Sequence, residues 1–246
     1  LNRMAEQAGA VAEILLKLPD LPGARAVGRG AAAIQEAWPA QPLVGLRARQ
    51  DDGQPERPEY QPTERNLLDV AEASAPRFFL FNGHGIYNDR VPSLSGLVLN
   101  LEPPAAPEAS IRPRGEDGFL RVEELFRLAL PGTELSFLAA CQTALGTVYR
   151  GEGLNALTRA FMYRGSPAVV ASLWAVDSEA TARLLRWFFT RVAEQPDADR
   201  AHLLGEARRQ LMAFGKEWCL PYFWAPFVLC GAGRPRRSEP INSVSE

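Results

Sequence analysis

The chain has 246 residues, enough for one large α/β domain or two small ones. Hydrophobic residues make up 46% of it, so a large core can form. Its 27 basic and 29 acidic residues leave a formal net charge of −2, which argues against direct nucleic-acid binding and against a polybasic membrane binder.

The cations are almost all arginine, with Lys17 and Lys216 the only lysines. The three cysteines, Cys141, Cys219 and Cys230, are odd in number and sparse. That usage predicts a reduced, cytoplasmic protein rather than a disulfide scaffold. No stretch is long and apolar enough to span a bilayer, and no basic-then-apolar leader precedes a small-residue cleavage site. The first residue is Leu1 rather than Met, so the chain is expected to be part of something longer.

Along the chain, Val11–Leu18 reads as a strand or a helix end, and Pro19 with Pro22-Gly23 enforces a loop. Ala24–Trp38 is Ala-rich and helix-friendly, Pro42–Arg49 alternates like a strand, and Asp51–Pro62 is a polar, proline-bearing loop. Thr63 predicts an N-cap for a helix whose stripe is Leu67, Leu68, Val70 and Ala71. Arg77–Asn82 is a Phe-rich apolar run that ends in Gly83-His84-Gly85. Leu94–Leu101 reads as another strand, and residues 102–117 as an inserted surface loop. Val122–Leu130 is a short helix stopped by Pro131-Gly132. Leu135–Ala140 is a second apolar run, ending in Cys141-Gln142-Thr143-Ala144.

Gly153–Arg164 has helical spacing at Leu154, Leu157 and Phe161, with Gly165 at its positive-φ stop. Pro167–Trp174 is apolar throughout, as a strand buried on both faces is. Ser178–Val192 is a helix with Ser178 as N-cap, Arg200–Phe214 a further helix, and Tyr222–Cys230 a final strand. Residues 235–246 form a polar tail expected to be disordered, leaving 1–234 as a single domain. Strands alternate with helices, which predicts an α/β fold with a mostly parallel sheet covered on both faces.

If the runs before His84 and Cys141 are neighbouring parallel strands, both residues sit at the carboxyl edge of one sheet, where open α/β sheets bind ligands. A cysteine with a histidine beside it is a nucleophile and its proton acceptor. A lone cysteine at a strand end is more often structural. Here small residues surround it, and His84 lies upstream at a spacing close to the roughly 50 residues of caspases. Glycine on both sides of His84 predicts a sharp backbone turn and close approach to a substrate. His202 falls on a helix and reads as a solvated side chain. Cys219 and Cys230 read as small apolar fillers. The cysteines and histidines have no zinc spacing, and neither a metal nor a cofactor is expected.

Several segments occur in an order that resembles the CHAT family of caspase-like cysteine peptidases. They are Gly83-His84-Gly85, Leu138–Ala144, Gly151-Glu152-Gly153-Leu154 with Arg159-Ala160-Phe161, Val170–Asp177, and Pro221–Gly231. The resemblance covers roughly Leu18 to Gly233. It departs from the family pattern at Asn82-Gly83, at Ala139, where the family has Ser, and at Ser178, where a second Asp is frequent. The resemblance implies a caspase-like three-layer sandwich with a central sheet of about six strands. It also implies an endopeptidase with Cys141 as nucleophile, His84 as base and then acid, and the backbone amides of Gly85 and Cys141 as oxyanion donors.

Asp177 would read the substrate's P1 side chain and favour Arg or Lys; the competing reading is a cap on the helix beginning near Ser178. Trp174 and Gln142 join it as substrate-binding residues, with a core role the rival for Trp174. Glu152 orders the loop after Cys141 or simply begins its helix. By analogy alone, the resemblance implies a protein substrate such as a gasdermin-like pore former, a regulatory or sensor domain or subunit, and a role in bacterial defence or cell death. Two other classes compete: a catalytically silent caspase-like binding module, and a thiol hydrolase or transferase for small molecules.

Overall fold

The computed structural model describes residues 63–74, 76–99, 117–142, 152–174 and 176–235. The elements expected before Thr63, the 102–116 part of the insertion and the tail from residue 236 lie outside them.

The elements, in chain order, are α1 (Glu64–Ser74), β1 (Phe78–Ile86), a 3₁₀ turn (Pro92–Leu94), β2 (Gly96–Val98), β3 (Phe119–Arg121), α2 (Val122–Leu125) and β4 (Leu135–Gln142). They continue with α3 (Glu152–Tyr163), β5 (Ala168–Ser172), α4 (Ser178–Glu194), α5 (Arg200–Ala213), a 3₁₀ turn (Lys216–Cys219), α6 (Pro221–Trp224) and β6 (Phe227–Gly231). The six strands form one sheet in the order β3-β2-β1-β4-β5-β6. The central strands β1, β4 and β5 are parallel, while β1–β2, β2–β3 and β5–β6 pair antiparallel. Four of the six strands, β1, β3, β4 and β5, therefore share one direction, as the sequence predicts.

Period-two alternation explains why the central strands carry apolar residues on both faces. Phe78 and Leu80 of β1, Leu135, Phe137 and Ala139 of β4, and Ala168 and Val170 of β5 pack on one face against α4 and α5. Phe79 and Phe81, Leu138 and Ala140, and Val169 and Ala171 pack on the other against α1, α2 and α3. Phe137 anchors the first layer, its ring centroid 5.1 Å from Phe227 and 6.1 Å from Phe188. Phe79 meets Phe161 at 5.2 Å in the second. Three layers result, each core closed by aromatic contacts at distances that stabilise beyond area burial.

Thr63 caps α1 as expected, its Oγ1 accepting from the Asn66 amide at 3.3 Å. Gly165 ends α3 at φ 117°, and a Cβ there would clash with the Leu130 carbonyl oxygen, so only glycine fits.

Five boundaries differ from the sequence expectation. The Leu94–Leu101 strand shortens to Gly96–Val98, and Phe119–Arg121 is an additional strand. The Val122–Leu130 helix stops at Leu125, because the Leu130 amide donates to the Arg164 carbonyl at 3.0 Å, a tertiary bond outside any helical ladder. The final strand starts only at Phe227, since Pro221 opens a helical turn, a position where its missing N–H costs nothing. The N-cap of α4 is Asp177 rather than Ser178. Cys219 is exposed rather than an apolar filler, while Cys230 is half-buried and its thiol pKa is raised by that burial. Among the described residues no helix is long and apolar enough to cross a membrane.

Candidate active site

β1 and β4 run side by side and in parallel, so their carboxyl ends share one edge of the sheet. Their register pairs Phe78 with Leu135 at the start and His84 with Cys141 near the end. Adjacent strands lie about 4.8 Å apart, so the two backbones are immediate neighbours at this rung. Strand parity assigns both positions to one face. His84 follows Phe78 and Leu80, and position 141 follows Phe137 and Ala139, on the side of α4 and α5.

The His84 imidazole is buried at both nitrogens, and neither Nδ1 nor Nε2 has a hydrogen-bond partner among the described residues. An unsatisfied buried polar atom costs about 1–3 kcal/mol, so His84 is an uncommon buried group in this fold.

The glycines flanking His84 make no sharp turn, because β1 stays extended through Ile86. Packing explains them instead. A Cβ on Gly85 would lie 2.9 Å from the Ala140 Cβ on the neighbouring strand, and one on Gly83 would lie 2.7 Å from the Phe81 ring. A larger residue at 85 would press on Ala140 and push β1 from β4 at the rung that pairs His84 with Cys141, whereas one at 83 would displace the Phe81 ring of its own strand.

β5 is parallel to β4, so its exit lies at the same edge. The Leu173 amide donates to the Pro226 carbonyl at 2.8 Å, which fixes where the chain leaves the strand. Trp174 is half-buried, and its Nε1 donates to the Tyr222 carbonyl at 3.2 Å, tying this exit to α6. The Asp177 Oδ1 accepts the Ala180 amide at 2.8 Å, and the Asp177 carbonyl accepts from the Thr181 amide and hydroxyl. The capping role weighed for Asp177 is therefore present. His84, Gly85, Cys141 and Gln142 thus lie at the carboxyl ends of β1 and β4, while Trp174 and Asp177 lie beyond the end of β5, Asp177 as the cap of α4. Among the described residues no group of His, Cys, Asp and Glu converges as metal ligands would. His202 sits on α5, 62% exposed, beside Glu206 at 3.5 Å.

Two residues that sequence reasoning missed organise the edge. Asp89, in the turn after β1, accepts the Gly153 amide at 3.0 Å through Oδ1. Gly153 lies in the first turn of α3, the helix reached after Cys141, so one carboxylate joins the segment beyond His84 to the segment beyond Cys141. It also places negative charge at a helix N-terminus, where the dipole favours it. Ser172, at the end of β5, donates its hydroxyl to the Ala140 carbonyl at 2.5 Å. An Asn-Asp pair after an apolar run reads only as turn chemistry, and a serine within one reads only as a small core residue.

A six-stranded, mostly parallel α/β sheet covered by helices on both faces has the layout of a caspase-like sandwich. The family model of the CHAT domain matches residues 7–232, and the chain belongs to that caspase-like, peptidase-related family. Tetratricopeptide repeat protein 28 of Mus musculus is 33% identical over 113 residues, which are 46% of this chain and 4% of that protein. Its Homo sapiens counterpart is 32% identical over 113 residues with the same coverage. The chain thus corresponds to a small part of either relative.

Proposed function

We propose that this chain is a cysteine endopeptidase working through a Cys141–His84 dyad. The Cys141 sulfur adds to the scissile carbonyl carbon as its proton passes to His84, and the carbonyl π pair moves onto oxygen. The amides of Gly85 and Cys141 hold that oxyanion. His84 then protonates the departing amine, leaving a thioester that water hydrolyses as His84 takes up its proton. One oxyanion donor is worth roughly 3 kcal/mol in such a step. Asp177, Trp174 and Gln142 line the substrate side, with the Asp177 charge favouring Arg or Lys at P1. The substrate is a protein partner, a gasdermin-like pore former being the class suggested by analogy. The chain works as the effector part of a cytoplasmic bacterial defence or cell-death system, under a regulatory domain or subunit.

The observation that carries this reading is the His84–Cys141 rung at the carboxyl edge, together with an imidazole whose buried nitrogens have no described partner. The test is cleavage of a mixed peptide library, read by mass spectrometry, by this protein and by Cys141→Ala. Cuts that vanish in the variant are expected. Arg or Lys at P1 supports Asp177 as the reader, and any other residue removes it from that role. Exposed Cys219 supplies an internal reference for a thiol probe. No cuts, with Cys141 no more reactive than Cys219 or Cys230, would overturn the peptidase reading in favour of a binding module.

A further inference from the structure

We infer that Glu64 and Glu124 form a proton-operated clasp between α1 and the corner where β3 turns into α2, closed while Glu64 holds a proton and loosened when it ionises. The clasp is independent of the Cys141–His84 chemistry.

Three carboxyl groups and one guanidinium meet at this corner. Glu64, the first residue of α1, is 1% exposed, and Glu124 of α2 is 8% exposed. Arg121 is already committed: its Nη2 donates to Asp117 Oδ2 at 2.6 Å, and its Nη1 donates to Glu124 Oε2 at 3.2 Å. The Arg121 amide donates to the same Glu124 oxygen at 2.9 Å. Glu64 Oε1 accepts the Gly118 amide at 2.9 Å, and Glu64 has no ion pair among the described residues.

Two oxygens remain. Glu64 Oε2 and Glu124 Oε1 are both buried, and neither has a partner among the described residues. An ionised carboxylate only accepts hydrogen bonds, so two ionised groups cannot satisfy each other. A proton on Glu64 turns Oε2 into a donor. Glu124 Oε1 is the open acceptor on the carboxylate whose charge bears most heavily on Glu64. A carboxyl–carboxylate hydrogen bond, direct or through one buried water, then serves both oxygens.

The groups that face Glu64 set the direction of the switch. Burial opposes its ionisation most, followed by Glu124 and then Asp117, while the Gly118 and Phe119 amides favour it. Once ionised, Glu64 sets a third negative charge beside one guanidinium in a dry corner, and moving α1 into water relieves it. The stripe by which α1 holds to the fold, Leu67, Leu68 and Ala71, belongs to the core that also contains Phe79 and Phe81 of β1. The clasp therefore sets how firmly one face of the His84 strand is covered.

The experiment is amide hydrogen exchange of α1, corrected for the pH dependence of the free chain, at pH 5.5 and pH 8.5. It compares the parent with Glu64→Gln and Glu124→Gln. For a carboxyl that titrates at about 7 when docked and at 4.5 when released, α1 of the parent should exchange about 30-fold faster at pH 8.5. Glu64→Gln keeps an acceptor for the Gly118 amide and gives Glu124 a permanent donor, so its α1 should exchange within about twofold at the two pH values. Glu124→Gln removes the largest opposing charge, so the dependence should shrink to below about 10-fold. A parent whose α1 exchanges equally at both pH values would overturn the inference. So would a dependence that persists in Glu64→Gln, or one left whole in Glu124→Gln, since each removes one partner from the clasp. Infrared spectra of the folded parent need no variant: a protonated carboxyl band present at pH 5.5 and lost by pH 8.5 is expected, and its absence at pH 5.5 would equally overturn the inference.

Discussion

Gly153→Ala tests whether the segments beyond His84 and Cys141 are held together as described. A Cβ at this position would lie 2.6 Å from the Ser95 Oγ, 2.7 Å from the Asn88 nitrogen and 3.2 Å from the Tyr87 carbonyl carbon. Ordinary contacts of carbon lie at about 3.5 Å or beyond, so the second of these is short by about 0.8 Å. Backbone cannot rotate aside as a side chain does, so either α3 or the 87–95 turn must move. Such a shift overpacks the junction at a cost of about 1–3 kcal/mol. It also loosens the Gly153–Asp89 bond at 3.0 Å, worth about 1.5–3 kcal/mol because its acceptor is charged. Alanine returns about 1 kcal/mol of helix propensity. The net expectation is a loss of about 2–4 kcal/mol, or roughly 5–15 °C in Tm for a domain of this size.

The assay is thermal unfolding by circular dichroism, paired with peptide cleavage at 25 °C, well below either midpoint. At that temperature the folded fraction is nearly complete, so a fall in kcat reports altered geometry rather than lost protein. A tenfold or greater fall in kcat is expected. Asp89→Asn, which keeps an acceptor and loses the charge, should fall between the parent and Gly153→Ala in Tm. A Gly153→Ala protein with Tm within 2 °C of the parent and unchanged kcat would show that α3 and the 87–95 turn do not set the active edge.

Two further outcomes are expected. Burial, then the charges of Glu124 and Asp117, raise the Glu64 carboxyl from 4.5 to about 7, against the opposing pull of the Gly118 and Phe119 amides. The folded state thus holds a proton that the unfolded chain releases, so the contribution of Glu64 to stability is greatest below pH 4.5, falls as pH rises to about 7, and is flat above; the bound on this loss is about 3 kcal/mol. Glu64→Gln, whose amide oxygen can still accept the Gly118 N–H, should flatten that slope in urea unfolding at pH 5 and pH 8. An unchanged slope would remove Glu64 as its source. Asp177→Asn keeps a side-chain acceptor for the Ala180 amide, whereas Asp177→Ala loses it at a cost of about 1 kcal/mol. If Asp177 reads P1, both variants should lose preference for Arg or Lys, and only the alanine should lower Tm. Retained preference in both would leave Asp177 a cap alone.

The parts of this fold legible in the sequence are those fixed by local pattern. Phe78–Phe81 and Phe137–Ala140 are apolar at consecutive positions because each residue has a core waiting on its own face. Both runs end in unusual chemistry, so the pairing of His84 with Cys141 could be predicted from two separate strand ends. What escaped has one physical character: it is set by partners distant in sequence. Phe119–Arg121 is too short to show a period and becomes a strand because β2 pairs with it. Leu130 leaves its expected helix for the carbonyl of Arg164. Asp89 finds its amide 64 residues away and Ser172 its carbonyl 32 residues away, and in each case the partner is a backbone group that every sequence has everywhere. A side chain that binds backbone leaves no complementary residue to search for. The residue types gathered at this edge are therefore readable from the sequence, while the hydrogen bonds that join its segments emerge only once the strands are laid side by side.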